Sequence, residues 1–323
     1  MHSSLKVFKH FFILFFKGIF VGAVDVLPGI SGGTIALALG IYHELIYTIN
    51  RLSLNSLRLL FKGRFSKFWV HINCNFLIPF VLGVLVGIFT LARTIEWLFS
   101  HYTVFLWSFF MGLLIISIYY LLRDIKLKRK VLIQLIIAAA FSFGISCLGS
   151  VDGNTHYLYI FFCGSVGIIA MILPGISGAL ILIILGVYPT LIEQVNRFSL
   201  YFLQFNNPEF IGSIFTLSIF VAGVLVGIKT FARLLDYLFR RYASSCYAIL
   251  VGIMIGVLYR IWPWQNDSSM SGNNTISQLV WPGQYQDDPN LIAAILLFLF
   301  GIIIMVILEK LGFISSKQSY GQQ

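Results

Sequence analysis

Long apolar runs limit what this chain can fold into more than any other feature of its sequence. Six runs each approach the roughly 20 residues that an α-helix needs to cross a bilayer: 76–92, 104–122, 131–148, 214–228, 243–258 and 291–308. Charged residues make up only 11% of the chain, against about 25% in soluble domains. The sequence therefore predicts an all-α polytopic membrane protein with six full crossings.

Two further apolar stretches, 11–49 and 158–195, are each interrupted near the middle by proline and glycine. The first follows a short basic segment and so looks like a signal peptide. We expect it to be retained, because its removal would delete one arm of an internal repeat.

That repeat is visible when the chain is compared with itself. Leu27-Pro28-Gly29-Ile30-Ser31-Gly32 recurs 146 residues later as Leu173-Pro174-Gly175-Ile176-Ser177-Gly178. At an offset of 140, Gly83-Val84-Leu85-Val86-Gly87 recurs as Gly223-Val224-Leu225-Val226-Gly227. Internal duplication is typical of transporter folds, whose halves often have inverted topology.

The number of crossings predicts that the second repeat is inverted. If each Pro-Gly break is the tip of a re-entrant helical hairpin, each repeat holds one hairpin and three transmembrane helices. Three is odd, so the second repeat enters from the opposite face. The first repeat covers 1–150 with its hairpin at 11–49, and the second covers 151–323 with its hairpin at 158–195. Together they form one integrated membrane domain.

The formal charge of +10 is interpreted as a topology signal rather than a nucleic-acid footprint. With cytoplasmic termini, the cytoplasmic segments collect Lys6, Lys9, Lys17, Arg51, Arg58, Lys62, Arg64, Lys67, Arg123, Lys126, Lys128, Arg129, Lys130, Arg240, Arg241, Lys310 and Lys317. The opposite loops hold one basic residue, Arg197. Were the first break a kink in one crossing, the five basic residues at 51–67 would lie outside, which argues for a hairpin.

Each Pro-Gly break predicts a tight tip followed by a new helix. Proline ends the preceding helix, and glycine permits the turn. The first amides of the new helix lack intrahelical partners and suit a phosphate or carboxylate. Hydroxyl donors come from Ser31, Thr34 and Ser177. We expect the two tips to meet at a polar site, since irregular backbone at membrane depth is buried or lines a cavity. The alternative is that these residues only permit close helix packing.

Two intramembrane arginines, Arg93 and Arg233, are equivalent in the repeat. The guanidinium group suits phosphate, because it donates two parallel hydrogen bonds and stays charged. Alternatively, each arginine reaches the interface or pairs with the acid three residues later, Glu96 or Asp236.

Two charges break the repeat. Asp25 aligns with Met171, and Lys229 aligns with Phe89. Asp25 is a candidate for coupling transport to a proton or cation, and Lys229 for a cationic site near Arg233. Equally, Asp25 caps or salt-bridges within the tip.

Enzyme and cofactor signatures are poor. The six histidines lie mostly in loops or at segment ends, no HExxH or GxSxG motif occurs, and the tips lack the lysine of a nucleotide-binding P-loop. The four cysteines have no CxxC spacing. We therefore predict a non-enzyme without cofactor or metal, and without nucleic acid as a partner.

The motifs resemble those of the polyprenyl-phosphate transporter family, over roughly residues 10 to 315. They are Asp25-Val26-Leu27-Pro28-Gly29-Ile30-Ser31-Gly32-Gly33-Thr34, Gly40-Ile41-Tyr42, Leu173-Pro174-Gly175-Ile176-Ser177-Gly178 and Trp262-Pro263-Trp264. The resemblance implies return of undecaprenyl phosphate, the lipid carrier of bacterial envelope polysaccharides, from the outer to the cytoplasmic leaflet.

The resemblance also implies site residues at both tips. They are Asp25, Pro28, Gly29, Ser31, Gly32, Gly33 and Thr34 in the first, and Pro174, Gly175, Ser177 and Gly178 in the second. Ala179 departs from the small polar residue common in the family, so the second tip has one hydroxyl fewer. Arg93, Arg233 and Lys229 are added on physical grounds alone.

The expected protein is thus a bacterial cytoplasmic-membrane flippase for an anionic polyprenyl lipid. The head would enter near Arg93, rest on the tips and leave near Lys229 and Arg233. The alternatives are a transporter or channel for a small soluble anion and an intramembrane lipid-phosphate enzyme. The sequence leaves the oligomeric state open.

Overall fold

The computed structural model describes residues 2–25, 31–91, 94, 97–98, 101–123, 125–126, 128–148, 153–154, 156–200, 207–267 and 277–310. Helices in the first part are α1 (His2–Asp25), α2 (Gly32–Ala38), α3 (Tyr42–Arg51), α4 (Leu54–Phe61), α5 (Phe65–His71), α6 (Cys74–Val86), which continues as a π-helical turn (Gly87–Leu91), α7 (Thr103–Arg123) and α8 (Arg129–Ser146). The second part has α9 (Tyr157–Ile172), α10 (Gly178–Ile184), α11 (Tyr188–Leu200), α12 (Pro208–Val257), a 3₁₀ turn (Pro282–Gln284) and α13 (Leu291–Lys310).

Within the part of the chain that the structure describes, five helical segments are long and apolar enough to cross a membrane: Cys74–Leu91, Thr103–Arg123, Arg129–Ser146, Pro208–Val257 and Leu291–Lys310. Within α12, Tyr242 has a non-helical backbone, with φ −135° and ψ 44°. This kink divides α12 into arms 208–241 and 243–257, which contain the predicted crossings that start at 214 and 243. Each of the six predicted crossings therefore falls on a helix, and the chain is a multi-pass membrane protein.

The two broken stretches have the same order of elements. Helix α1, a break, α2 and α3 in the first correspond to α9, a break, α10 and α11 in the second. Gly40 and Gly186, which are equivalent in the repeat, end the short helices with φ of 70° and 66°. Helices α10 and α11 meet at a bend of 107°. We call α1–α3 the first hairpin and α9–α11 the second hairpin. Re-entry and inversion stay predictions.

Glycines bring the first helix of each repeat close to its partner in the same way. A Cβ atom added at Gly83 would overlap the carbonyl oxygen of Phe15, where α6 crosses α1. One added at Gly223 would overlap that of Phe161, where α12 crosses α9. Because small residues let membrane helices approach closely, these crossings define the frame that holds each hairpin.

The last helix of each repeat packs against the other repeat. Helix α13 lies along α7, with Gly112 against the carbonyl of Phe298. Helix α8 lies along the second arm of α12, with Gly252 against the carbonyl of Leu135. The two sequence repeats are therefore intertwined rather than side by side.

One feature departs from the predicted all-helical pattern. The chain before α13 forms a two-stranded antiparallel ribbon of β1 (Gln265–Asp267) and β2 (Ser277–Leu279). The indole of Trp262 donates to the Val280 carbonyl at 2.9 Å, and that of Trp264 to the Pro289 carbonyl at 3.0 Å. These bonds hold the ribbon over the adjoining helix ends.

Candidate functional site

The second break runs from the end of α9 to the start of α10 and is described throughout. Helix α9 ends at Ile172, and Leu173 takes an extended conformation immediately before Pro174. Gly175 has φ +91°, a backbone conformation that side chains disfavour. Pro174, Gly175 and Gly178 are buried, and Ser177 is half-buried. The chain therefore turns tightly here, as the Pro-Gly pair predicts.

In the first break, the predicted site residues Pro28 and Gly29 lie outside the described residues. Ser31 caps α2, its hydroxyl accepting a hydrogen bond from the Gly33 amide at 3.1 Å. The Asp25 carboxylate accepts one from the Gly32 amide at 2.7 Å. The Thr34 amide donates to the Ser31 carbonyl at 2.8 Å. The first three amides of α2 thus have partners within the protein. Asp25 makes the contact that the capping alternative expects, and its role in coupling stays a prediction.

The two breaks touch, as predicted, through hydrogen bonds between the hairpins. The Ser31 hydroxyl donates to the Met171 carbonyl at 2.9 Å, and the Thr34 hydroxyl accepts from the Gly175 amide at 2.6 Å. Both side chains are buried, with exposures of 2% and 1%. Gly33 lies against Ile172, whose carbonyl oxygen is 2.6 Å from where a Cβ atom would stand. We call this contact between the two breaks the junction.

Lysine ammonium groups bind the carboxyl ends of both short helices in the first hairpin. Lys17 donates to the Leu39 carbonyl at 2.9 Å, at the end of α2. Lys229 donates to the Asn50 carbonyl and, at 2.6 Å, to the Leu52 carbonyl at the end of α3. A cation at a helix C-terminus is stabilising, because the last carbonyls carry the negative end of the helix dipole.

These contacts bear on two sequence interpretations. Lys17, interpreted from the sequence as a topology signal at the cytoplasmic face, is 7% exposed and bonded inside the protein. The ammonium of Lys229 serves two carbonyl groups, and its contact with the substrate stays a prediction. One feature of the sequence could have indicated an internal role for Lys17. Its equivalent in the second repeat is Cys163, which is uncharged, so the positive charge of Lys17 is specific to the first repeat.

The predicted arginine site is only partly described. Arg93 and Glu96 lie outside the described residues. Arg233 is exposed on α12, and within the described ranges it has no hydrogen bond or ion pair. The alternative in which Arg233 pairs with Asp236 is wrong. The Asp236 carboxylate instead meets Arg240 at 3.2 Å and accepts from the Asn50 amide group at 2.9 Å.

Among the described residues, no charged side chain binds the end of α10 or caps its start, and the ion pair of the second hairpin, Arg197–Glu193 at 2.6 Å, lies within α11. Tyr159, a neutral residue, donates its hydroxyl to the Leu185 carbonyl at 2.7 Å, which is the repeat equivalent of Leu39. Ser177 begins α10 without a side-chain capping bond. Its hydroxyl has no partner within the described part of the chain, unlike that of Ser31. The second hairpin therefore has a hydroxyl donor available for an anion.

The chain is similar to known membrane transport proteins. The sequence matches the family described as "Undecaprenyl phosphate translocase-like" over residues 21–279, which include both breaks. It is 36% identical to a polyprenyl-phosphate transporter of Vibrio cholerae, over 82% of each chain. It is 30% identical to a polyprenyl-phosphate transporter of Staphylococcus aureus, over 80% of this chain and 88% of that one. No solved structure matches the chain significantly.

Proposed function

Because this chain belongs to the undecaprenyl phosphate translocase-like family, we propose that it moves undecaprenyl phosphate from the outer to the cytoplasmic leaflet of the bacterial cytoplasmic membrane. The two relatives described above are named polyprenyl-phosphate transporters, which supports transport of a polyprenyl phosphate and a non-enzymatic role. The same proposal includes two further points. The transported lipid returns for another round of envelope synthesis, and both termini of the protein lie in the cytoplasm.

The substrate has an apolar prenyl tail and a charged phosphate head group, and these two parts place different demands on the protein. The prenyl tail is stable in hydrocarbon, whereas an unpaired phosphate charge there is costly. The protein therefore needs to shelter only the head group while the tail stays in lipid. Two inverted repeats would present one hairpin to each leaflet, so that the junction lies on the path of the head group.

The junction carries this proposal. Its buried hydroxyl groups on Ser31 and Thr34 bind backbone groups of the second hairpin. When the junction opens, the Ser31 hydroxyl and the Gly175 amide lose those partners and need new ones, because an unpaired buried donor costs about 1–3 kcal/mol. A phosphate oxygen supplies that acceptor. Binding of the head group and opening of the junction are thereby linked.

The remaining proposed site residues fall into two groups: hydrogen-bond donors for the head group, and residues that form the tight turns at the tips. Ser177 is a hydroxyl donor without a partner among the described residues, and Arg233, one of the exposed cations on α12, receives the head group on leaving. We assign the shaping of the tips to six residues: Gly32, Gly33, Pro174 and Gly178 in the described breaks, and Pro28 and Gly29 on the sequence motif alone. Arg93 is proposed for the side at which the substrate enters. Lys229 acts through α3, which it holds in place, and Asp25 through the first amide of α2.

The direct test is a leaflet-resolved measurement of labelled undecaprenyl phosphate in proteoliposomes that contain only this protein. We expect redistribution of the lipid faster than in protein-free liposomes, and slower redistribution with Ser177→Ala than with Ser177→Thr. Rates equal to those of empty liposomes would refute the proposal. Uptake of a water-soluble anion without lipid movement would support the small-anion alternative instead.

A further inference from the structure

Helices α4 and α5 form a separate surface feature, which we call the basic pair. They pack mainly against each other and against the start of α6. The indole of Trp69 donates to the Asn75 side chain at 2.9 Å and fixes α5 to that helix. Neither helix belongs to the membrane-crossing segments, and neither contributes to the junction.

Large apolar side chains on the basic pair stand away from the protein. Phe61 is 86% exposed, Phe65 66% and Val70 72%. A cavity of about 340 Å³ lies between α5–α6 and α1, lined by Phe11, Trp69 and Ile78 among others. Large apolar groups exposed this strongly at the join of two helices mark a surface that contacts lipid or another molecule.

The same segment is strongly cationic. Arg58, Lys62, Arg64 and Lys67 are exposed, and within the described residues none of them has an ion pair. No aspartate or glutamate occurs from position 45 to 95. Apolar and cationic groups that alternate on one protruding element match the membrane interface, where rings enter the acyl region and Lys or Arg meets phosphate.

We propose that the basic pair is an in-plane anchor that binds anionic phospholipid head groups of the leaflet it faces. On the predicted topology this is the cytoplasmic leaflet, whose surface potential is negative. Phe61, Phe65 and Val70 enter the acyl boundary, and the four cations bind head-group phosphates above them. A second copy of the chain is disfavoured as the occupant, because it would bring an equal set of cations against this surface. The inference does not depend on which lipid the protein transports.

The test uses the full-length protein in nanodiscs, with Cys147→Ser to remove the exposed native thiol and Phe65→Cys to carry an apolar fluorescent label. Quenching is measured with acrylamide, which is neutral and soluble, and with lipids that carry a quencher in the acyl chain. Discs of phosphatidylcholine are compared with discs that also contain phosphatidylglycerol. One variant replaces Arg58, Lys62, Arg64 and Lys67 with Gln. The matched control replaces Lys126, Lys128, Arg129 and Lys130 with Gln, the same change in charge.

In anionic discs we expect protection from acrylamide and quenching by the acyl-chain quencher. The Gln variant at 58–67 should raise acrylamide quenching severalfold, and the control at 126–130 should leave it unchanged. Equal acrylamide quenching in neutral and anionic discs would overturn the proposal. So would protection that disappears when each disc holds one copy, because a second protein molecule would then be the cover.

Discussion

In the first hairpin, ammonium groups of Lys17 and Lys229 bind the ends of α2 and α3, whereas in the second hairpin the neutral hydroxyl of Tyr159 binds the end of α10, the equivalent of α2. The backbone turns are nearly identical. At Gly40 and Gly186, the next residue donates to the carbonyl five positions back, Ile41 to Ala36 and Val187 to Leu182, at 3.0 Å in both. Duplication therefore preserved the geometry of the hairpin while the charges that fix it diverged.

The difference separates the roles of the two hairpins. Charge-assisted hydrogen bonds are about twice as strong as neutral ones, and the first hairpin also has the Asp25 contact to α2. It is therefore the better anchored of the two. We infer that the first hairpin is the fixed side of the junction and that the second hairpin is the side that moves. The two halves should therefore respond alike to changes in their shared frame and differently to changes in their anchoring contacts.

The largest loss of folding stability is expected at the glycines of the two helix crossings, and it should be equal in the two halves. Gly83→Ala and Gly223→Ala each place a Cβ atom on a carbonyl oxygen of the crossing helix, so each should lower the free energy of unfolding by about 2–3 kcal/mol. Gly212→Ala is the control, because nothing lies within 4 Å of its Cβ position. Reversible unfolding in mixed micelles measures all three. A large difference between Gly83→Ala and Gly223→Ala would break the symmetry of the frame.

The next effect should be confined to the first hairpin. Lys229→Gln removes a charged donor from two carbonyls of α3 and should cost about 1.5–3 kcal/mol of folding stability. Arg233→Gln, one turn away and exposed, should change stability by less than about 0.5 kcal/mol. The same unfolding assay compares them. Equal losses would mean that Lys229 has no special part in holding α3.

A smaller effect should separate the two serines. Ser31→Ala loses the cap of α2 and the bond to Met171, which should cost about 1–2 kcal/mol of stability. Ser177→Ala should leave stability within about 0.5 kcal/mol of the wild type but weaken binding of undecaprenyl phosphate about tenfold. Thermal unfolding and lipid binding are measured on the same preparations. If Ser177→Ala only lowers stability, the second break is a packing element.

The smallest effect on stability is expected at Asp25. Asparagine keeps an oxygen that accepts from the Gly32 amide, so Asp25→Asn should cost less than about 0.5 kcal/mol, whereas Asp25→Ala loses the bond and should cost about 1 kcal/mol. Transport by Asp25→Asn in proteoliposomes should match the wild type. Lost transport at unchanged stability would instead assign the charge of Asp25 to coupling.

The sequence predicts the elements of both hairpins because their signals are local. Proline, glycine and the repeat offset place the breaks and short helices, and the hydroxyl residues reveal that the tips are polar. The sequence around Tyr242 contains no proline or glycine that would predict the kink there. The repeat does hold a clue, because Tyr102, the equivalent of Tyr242, lies immediately before α7, where a new helix begins.

Partners across the fold could not be predicted. Lys17 looks like a topology signal by position alone, and only the crossing of α1 over α2 shows which carbonyl it meets. Likewise, hydropathy identifies α8 and α13 as crossings but contains no information on which helix each one contacts. Such contacts depend on tertiary geometry that a single sequence does not encode in a local pattern.

The exchange of last helices between the repeats has a consequence for biosynthesis. Helix α7 enters the membrane early, but α13, which covers its Gly112 face, is the last helix that the structure describes. At about 5–20 residues per second, ribosomes take roughly 10 to 30 seconds to reach α13 after α7. During that time the first repeat cannot reach its native packing. Release of the chain before α13 should leave an assembly intermediate exposed to membrane proteases, and a separately expressed α13 segment should rescue it.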